Sequence, residues 1–177
     1  MKDSKIIKVC FYGPESTGKS TMARRMAKHY HTVFVPEVSR EMVTSNQFTE
    51  EEIVRIGEAQ TQRVLEQAKI ANLILFCDSD LITTQIYAEI YLKKVPKALI
   101  DLEKKIKYDQ YLLFDIDIPW VADGLRDMGE RRSEMMECFR SKLESRKIPY
   151  TLISGSLEQR ERVIISVVDN LLKKFGV

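Results

Sequence analysis

The chain has 177 residues, 28 basic and 26 acidic, for a formal net charge of +2, with 44% apolar and 31% charged residues. A chain of this length buries roughly 70% of its unfolded surface, so it sustains one core without disulfides or metal, and its composition excludes disordered and fibrous classes. The near-balance of charge leaves no broad electrostatic footprint for nucleic acid or a membrane surface, and no apolar run approaches the ~18 residues of a membrane span.

The run from Lys5 to Tyr12, an apolar stretch broken by Lys8, predicts a first strand. The opening MKDSKIIKVC turns directly into that strand, so no signal peptide is expected. Gly13-Pro14-Glu15-Ser16-Thr17-Gly18-Lys19-Ser20 follows and matches the phosphate-loop pattern G-x-x-x-x-G-K-S/T at every fixed position. A helix is expected from Lys19 to Tyr30, with Met22, Ala23 and Met26 inward. Thr32–Val35 predicts a short second strand, stopped by Pro36. Thr49-Glu50-Glu51-Glu52 is a capping box that opens a long helix. In it Ile53, Ile56, Gln60, Val64 and Ala68 recur at helical spacing, and only Gln60 is polar.

Leu73–Cys77 is a continuous apolar run, the mark of a strand covered on both faces, with Asp78 and Asp80 at its end. Helices are expected over Leu81–Leu92 and Pro96–Ile106, and a fourth strand over Tyr111–Phe114, ending in Asp115 and Asp117. Trp120–Arg132 is polar, contains Gly124 and Gly129, and reads as a loop or small lid. A helix over Ser133–Ser145 and a fifth strand over Tyr150–Ile153 come next. A second capping box, Ser156–Gln159, begins a last helix with Leu157, Ile164, Val167, Leu171 and Phe175 on one face.

This alternation predicts an α/β fold: a P-loop NTPase three-layer sandwich with a five-stranded parallel sheet, forming one domain over residues 1–177 with a lid at about 120–132. Ligands of such sheets bind beyond the C-terminal strand ends. The glycine loop, Glu37, Asp78/Asp80 and Asp115/Asp117 all fall there.

The loop carries the strongest chemical signal. A chance match in a chain this long has a probability on the order of 1%. Gly13 and Gly18 let the backbone curl so that its N–H groups, with those of Glu15, Ser16 and Thr17, point at phosphates; Thr21 follows at the helix start. Lys19 supplies charge for the β- and γ-phosphates of ATP, and Ser20 a hydroxyl ligand for Mg²⁺. Asp78 and Asp80 are the carboxylates to complete the metal shell, with helix capping as the competing role, for which Asp80 is better placed. Glu37 is placed as base or orienting carboxylate for a hydroxyl acceptor, against the alternative of a solvated loop residue; Arg40, one turn on, pairs with it or holds substrate. Asp115 and Asp117 have the same options. Arg126, Arg131 and Arg132 are cations for the transferring phosphoryl group or a solvated basic face. The cysteines Cys10, Cys77 and Cys138 read as reduced thiols, and with His29 and His31 they make no zinc pattern; a reducing cytoplasm fits.

Three blocks carry a resemblance: Gly13–Thr21, Asp78–Gln85 (DSDLITTQ) and Pro119–Arg126 (PWVADGLR). On these the chain resembles the ribosylnicotinamide kinase domain of NadR-type NAD-biosynthesis proteins, over nearly its whole length. The resemblance implies ATP- and Mg²⁺-dependent phosphorylation of the ribose 5′-hydroxyl of nicotinamide riboside, giving nicotinamide mononucleotide. It implies that Trp120 stacks on the nicotinamide ring, that Asp80, Thr84, Gln85 and Tyr87 hold ribose or amide, and that Arg126 and Arg132 are lid arginines; Arg131 does not match clearly. Longer family members carry a helix-turn-helix and an adenylyltransferase domain. His29-Tyr30-His31 is not the His-x-Gly-His of such transferases, so no adenylyl transfer is expected. The expected partner is thus a small-molecule nucleoside, with no nucleic acid and no membrane; oligomeric state is not readable. The rival readings are another nucleoside or small-molecule kinase, a regulatory ATPase or GTPase (Asn-Lys-x-Asp is absent), and a non-catalytic nucleotide-binding module.

Overall fold

A computed structural model describes residues 5–45, 47–122 and 128–176. The apolar runs form five strands: β1 (Ile7–Tyr12), β2 (Phe34–Val35), β3 (Ile74–Asp78), β4 (Gln110–Phe114) and β5 (Tyr150–Ile153). All pair in parallel, in the spatial order β2-β3-β1-β4-β5. The first strand in sequence is therefore the central one. It aligns Cys10 with Cys77 on one side and with Tyr111 on the other.

Seven α-helices are described: α1 (Lys19–His29), α2 (Ser39–Met42), α3 (Glu50–Ala68), α4 (Leu81–Leu92), α5 (Lys97–Glu103), α6 (Arg132–Ser145) and α7 (Leu157–Lys174); a 3-10 turn, Gly129–Arg131, precedes α6. Both expected capping boxes are present. Thr49 and Glu52 close the start of α3, and Ser156 and Gln159 that of α7, each pair exchanging side-chain and backbone hydrogen bonds.

The central strands are apolar throughout because each face of the sheet is covered. Alternate residues of β1 separate into two cores. Val9 and Phe11, with Phe76, Leu112 and Phe114, pack under α1 and α7. Cys10 and Tyr12 face the other way, against α4 and α6 through Ile82, Ile86, Phe139 and Leu143. On that same side Val64 of α3 packs on Leu75 and Cys77. The result is helix–sheet–helix layering, with every C-terminal strand end opening on one edge.

Some boundaries differ from the pattern-based expectation. β2 holds only two residues, because the Thr32 hydroxyl bonds the Ile74 carbonyl (2.7 Å) where a ladder bond was expected. In α7 the buried face is Arg160, Ile164, Val168 and Leu171; Val167 is only partly covered and Phe175 is 39% exposed. No helix among the described residues is long and apolar enough to cross a membrane.

Candidate active site

β1 delivers the chain to the phosphate loop at the sheet's centre. Gly13 has φ 135°, and a Cβ there would lie 2.8 Å from the carbonyl oxygen of Phe114. Only glycine lets the loop turn this close to β4. Within the loop the Thr17 hydroxyl donates to the Pro14 carbonyl (2.9 Å). Lys19 Nζ donates to the same carbonyl (2.5 Å) and to Thr17 Oγ1 (3.3 Å). Lys19 is almost fully buried, and burial lowers its pKa against the pull of Asp78 and Glu37. Ser20 opens α1 and Thr21 stands exposed behind it. Glu15 turns to the neighbouring cavity.

The loop's outer side is held by cations that sequence reasoning placed less well. Arg160 of α7 is wholly buried and donates to the carbonyls of Thr17 (2.8 Å), Gly155 (2.8 Å) and Asp115 (3.2 Å), and pairs with Asp117. Asp117 also accepts from the Gly155 N–H (2.5 Å). Arg160 was legible as a charge on the inward face of α7, and the stripe Leu157–Ile164 passed over it. Arg132 reaches the same region, donating to the carbonyls of Ile118 (2.8 Å) and Ser16 (3.4 Å). The Val121 N–H donates to Ser16 Oγ (2.8 Å). Arg126 lies outside the described residues.

Asp78 ends β3 beside the loop and is 1% exposed. Its Oδ2 accepts a short hydrogen bond from Ser20 Oγ, while its Oδ1 is buried with no hydrogen-bond partner among the described residues. Burial and the nearby Glu37 carboxylate push its pKa up to about 6, with Lys19 and Ser20 opposing. An orphaned carboxylate oxygen next to a hydroxyl fits a small hard cation, and Mg²⁺ takes its remaining ligands from phosphates and water.

A cavity of about 110 Å³ opens next to this group. Glu15, Glu37, Arg40 and Thr84 line its polar part, and Phe48, Ile53, Ile56, Tyr87 and Tyr91 its apolar part; Gln60 also lines it. Arg40 Nε donates to Glu37 Oε2 at 3.0 Å. Tyr87 and Tyr91, one turn apart on α4, lie near-parallel at 6.2 Å, and Phe48 packs on Tyr91 at 5.0 Å.

Three residues expected at the acceptor are turned elsewhere. Asp80 caps α4: its Oδ1 accepts from the N–H and hydroxyl of Thr83 (2.9 Å each) and its Oδ2 from the Tyr111 hydroxyl (2.9 Å). Gln85 is committed to Glu103 (2.6 Å) and Arg146 (3.0 Å), joining α4, α5 and α6. Trp120 does not line the cavity. Its indole lies against Gly129, where an added Cβ would meet the ring at 2.8 Å, so the missing side chain of Gly129 makes its seat. The rings that do face the cavity come from α4 and from Phe48. Phe48, Tyr91 and Ser39 were not singled out by sequence; they stand in ordinary amphipathic or loop contexts.

A family model described as an AAA domain matches residues 8–160. The chain belongs to that family. It is also homologous to the trifunctional NAD biosynthesis/regulator protein NadR of Escherichia coli (strain K12), at 29% identity over 155 residues, which is 82% of this chain and 37% of that one. The chain thus spans little more than a third of that relative's length. Among solved structures, NadR in complex with NR superimposes with a TM-score of 0.77 at 24% identity, over 97% of this chain and 52% of that one. Deoxyadenosine kinase from M. mycoides gives 0.67 at 11% identity, over 93% of this chain and all of the other. These likenesses establish the fold as that of P-loop kinases, with a five-stranded parallel sheet.

Proposed function

We propose that this chain is a kinase domain that transfers the γ-phosphoryl group of ATP, with Mg²⁺, to the ribose 5′-hydroxyl of nicotinamide riboside. The observation that carries this is the cavity whose carboxylate, Glu37, borders the Lys19–Asp78 group at the phosphate loop. Homology to NadR supplies the choice of acceptor.

The loop N–H groups and the start of α1 cradle the phosphates, and Lys19 exchanges the Pro14 carbonyl for a phosphate oxygen. Ser20 and Asp78 are the residues to hold Mg²⁺, which when bound neutralises phosphate charge. Glu37 takes the proton of the 5′-hydroxyl as that oxygen forms its bond to phosphorus and the bond to the bridging oxygen of ADP breaks. Arg40 orients Glu37, and Arg132, beside Ser16, is the cation for charge developing on the transferred group. A pyridinium ring suits a cavity lined by the Glu15 and Glu37 carboxylates and the faces of Tyr87 and Tyr91. The free cysteines Cys10, Cys77 and Cys138 fit a reducing cytoplasm.

The test is incubation with ATP, Mg²⁺ and nicotinamide riboside, reading mononucleotide by mass. Turnover of thymidine or deoxycytidine with none of nicotinamide riboside would replace this reading with that of a deoxynucleoside kinase, the second reading that the fold supports.

A further inference from the structure

One polar group in the cavity has no role in the chemistry above. α3 lines the cavity with Ile53, Ile56 and Gln60, and Gln60 interrupts an otherwise apolar stripe. It is 3% exposed. The Val38 N–H donates to Gln60 Oε1 at 3.0 Å. That bond fixes the side-chain amide: an N–H is met only by the oxygen, so Nε2 faces the other way. Nε2 is buried, and among the described residues nothing accepts from it. A buried donor without a partner is costly, and natural interiors rarely keep one that has no task.

The other polar groups of the cavity cannot substitute for it. Glu15 and Glu37 are acceptors, Arg40 is a cation engaged with Glu37, and the hydroxyls of Ser39, Ser79 and Thr84 act either way. The Tyr87 hydroxyl, also at the cavity, is engaged with Glu15, whereas Gln60 is a neutral donor locked in one orientation and unmatched among the described residues, with Ile53 and Ile56 beside it.

We propose that Gln60 determines acceptor specificity by donating a hydrogen bond from Nε2 to an oxygen of the bound substrate, a ring-borne carbonyl or a sugar hydroxyl. This rests on the kinase reading above. A site built to meet a polar group rejects analogues that lack it more strongly than an apolar pocket rejects bulk, because its own donor is then left unpaired. The same side chain pins Val38, the neighbour of Glu37, so recognition and the position of the base share one residue.

The experiment exploits this double role. Gln60→Glu keeps an oxygen for the Val38 N–H and replaces the donor with an acceptor; Gln60→Met removes both. KM and kcat are measured for nicotinamide riboside, for the pyridine riboside lacking the carboxamide, and for ribosides lacking one sugar hydroxyl, with KM for ATP as the control for folding. In the wild type, the analogue missing the contacted oxygen loses on the order of tenfold or more in kcat/KM. In Gln60→Glu that penalty is expected to vanish for one analogue only, which identifies the oxygen, while KM for ATP holds. Both variants discriminating among the acceptors as the wild type does would overturn the inference. If the wild type phosphorylates none of these ribosides, the kinase reading fails and the Gln60 inference falls with it; unchanged discrimination by an active chain sinks the Gln60 inference alone.

Discussion

The hydroxyl of Ser20, at the start of α1, donates to the carboxylate of Asp78, at the end of β3, across 58 residues of sequence. The bond ties the phosphate loop to a neighbouring strand through a side chain that the fold pays to keep ionised. Burial and the Glu37 charge raise the Asp78 pKa from 3.8 to about 6. A carboxyl whose pKa is raised on folding contributes stability that is fully present below about pH 3.8 and lost as pH rises through about 6. At neutral pH it is a liability of ~1–3 kcal/mol. Asp78→Asn is therefore expected to raise Tm at pH 7.5 in EDTA, with the gain shrinking toward pH 5, while kinase activity falls. Thermal melts across that range check it, and a variant less stable than wild type at pH 7.5 would contradict the assignment.

Glu37→Gln keeps the size of the side chain and removes the carboxylate proposed as the base. We expect kcat to fall by ~10²–10⁴ with a smaller change in acceptor KM. Steady-state kinetics decide this; an unchanged kcat would move the role of base to another group.

Trp120 is the sole tryptophan, so its fluorescence reports the seat on Gly129. Gly129→Ala forces a carbon into the space of the indole, since a Cβ there would lie 2.8 Å from the ring. The expected outcome is a shifted emission maximum and a loss of ~1–3 kcal/mol in stability. An emission spectrum identical to wild type would mean that the ring is seated elsewhere.

Arg160→Met removes the donor to the carbonyls of Thr17, Gly155 and Asp115 and leaves Asp117 with the Gly155 N–H but no cation. Asp117 is 35% exposed and can be solvated once the guanidinium is gone, so the loss comes mainly from the carbonyls left unmet, ~1–3 kcal/mol. KM for ATP is expected to rise even in the milder Arg160→Lys, which keeps the charge but not the planar fork. Denaturant melts and ATP titration measure the two effects. Wild-type ATP affinity in both variants would rule out a part for Arg160 in shaping the loop.

Much of this architecture was legible because its signals are local. Both capping boxes, the phosphate loop and the continuous apolar run before Asp78 each need only a few neighbouring residues to be read. The four-residue α2 is too short to show a period. Side-chain direction was the harder matter. Asp78 and Asp80 are alternate residues at one strand end, yet one faces the phosphate loop and the other caps α4, bonded to Tyr111 from another strand. Gln85 follows Thr84 by one position, but a step of one on a helix turns Gln85 toward α5 and α6 and leaves Thr84 at the cavity. Contacts of this kind depend on partners distant in sequence, such as Glu103 and Arg146, and no local pattern announces them.

The bond from Arg160 to the Thr17 carbonyl also sets an order of events. The nucleotide cradle lies near the start of the chain, but its last internal support arrives 143 residues later. β1, moreover, finds both its partners, β3 and β4, far downstream. Such long-range closure is slow. During synthesis the loop sequence thus exists long before its support does, and nucleotide affinity is expected only once α7 has docked. A nucleotide bound at the loop would stabilise the finished fold and have little to grip in any species that lacks α7's support.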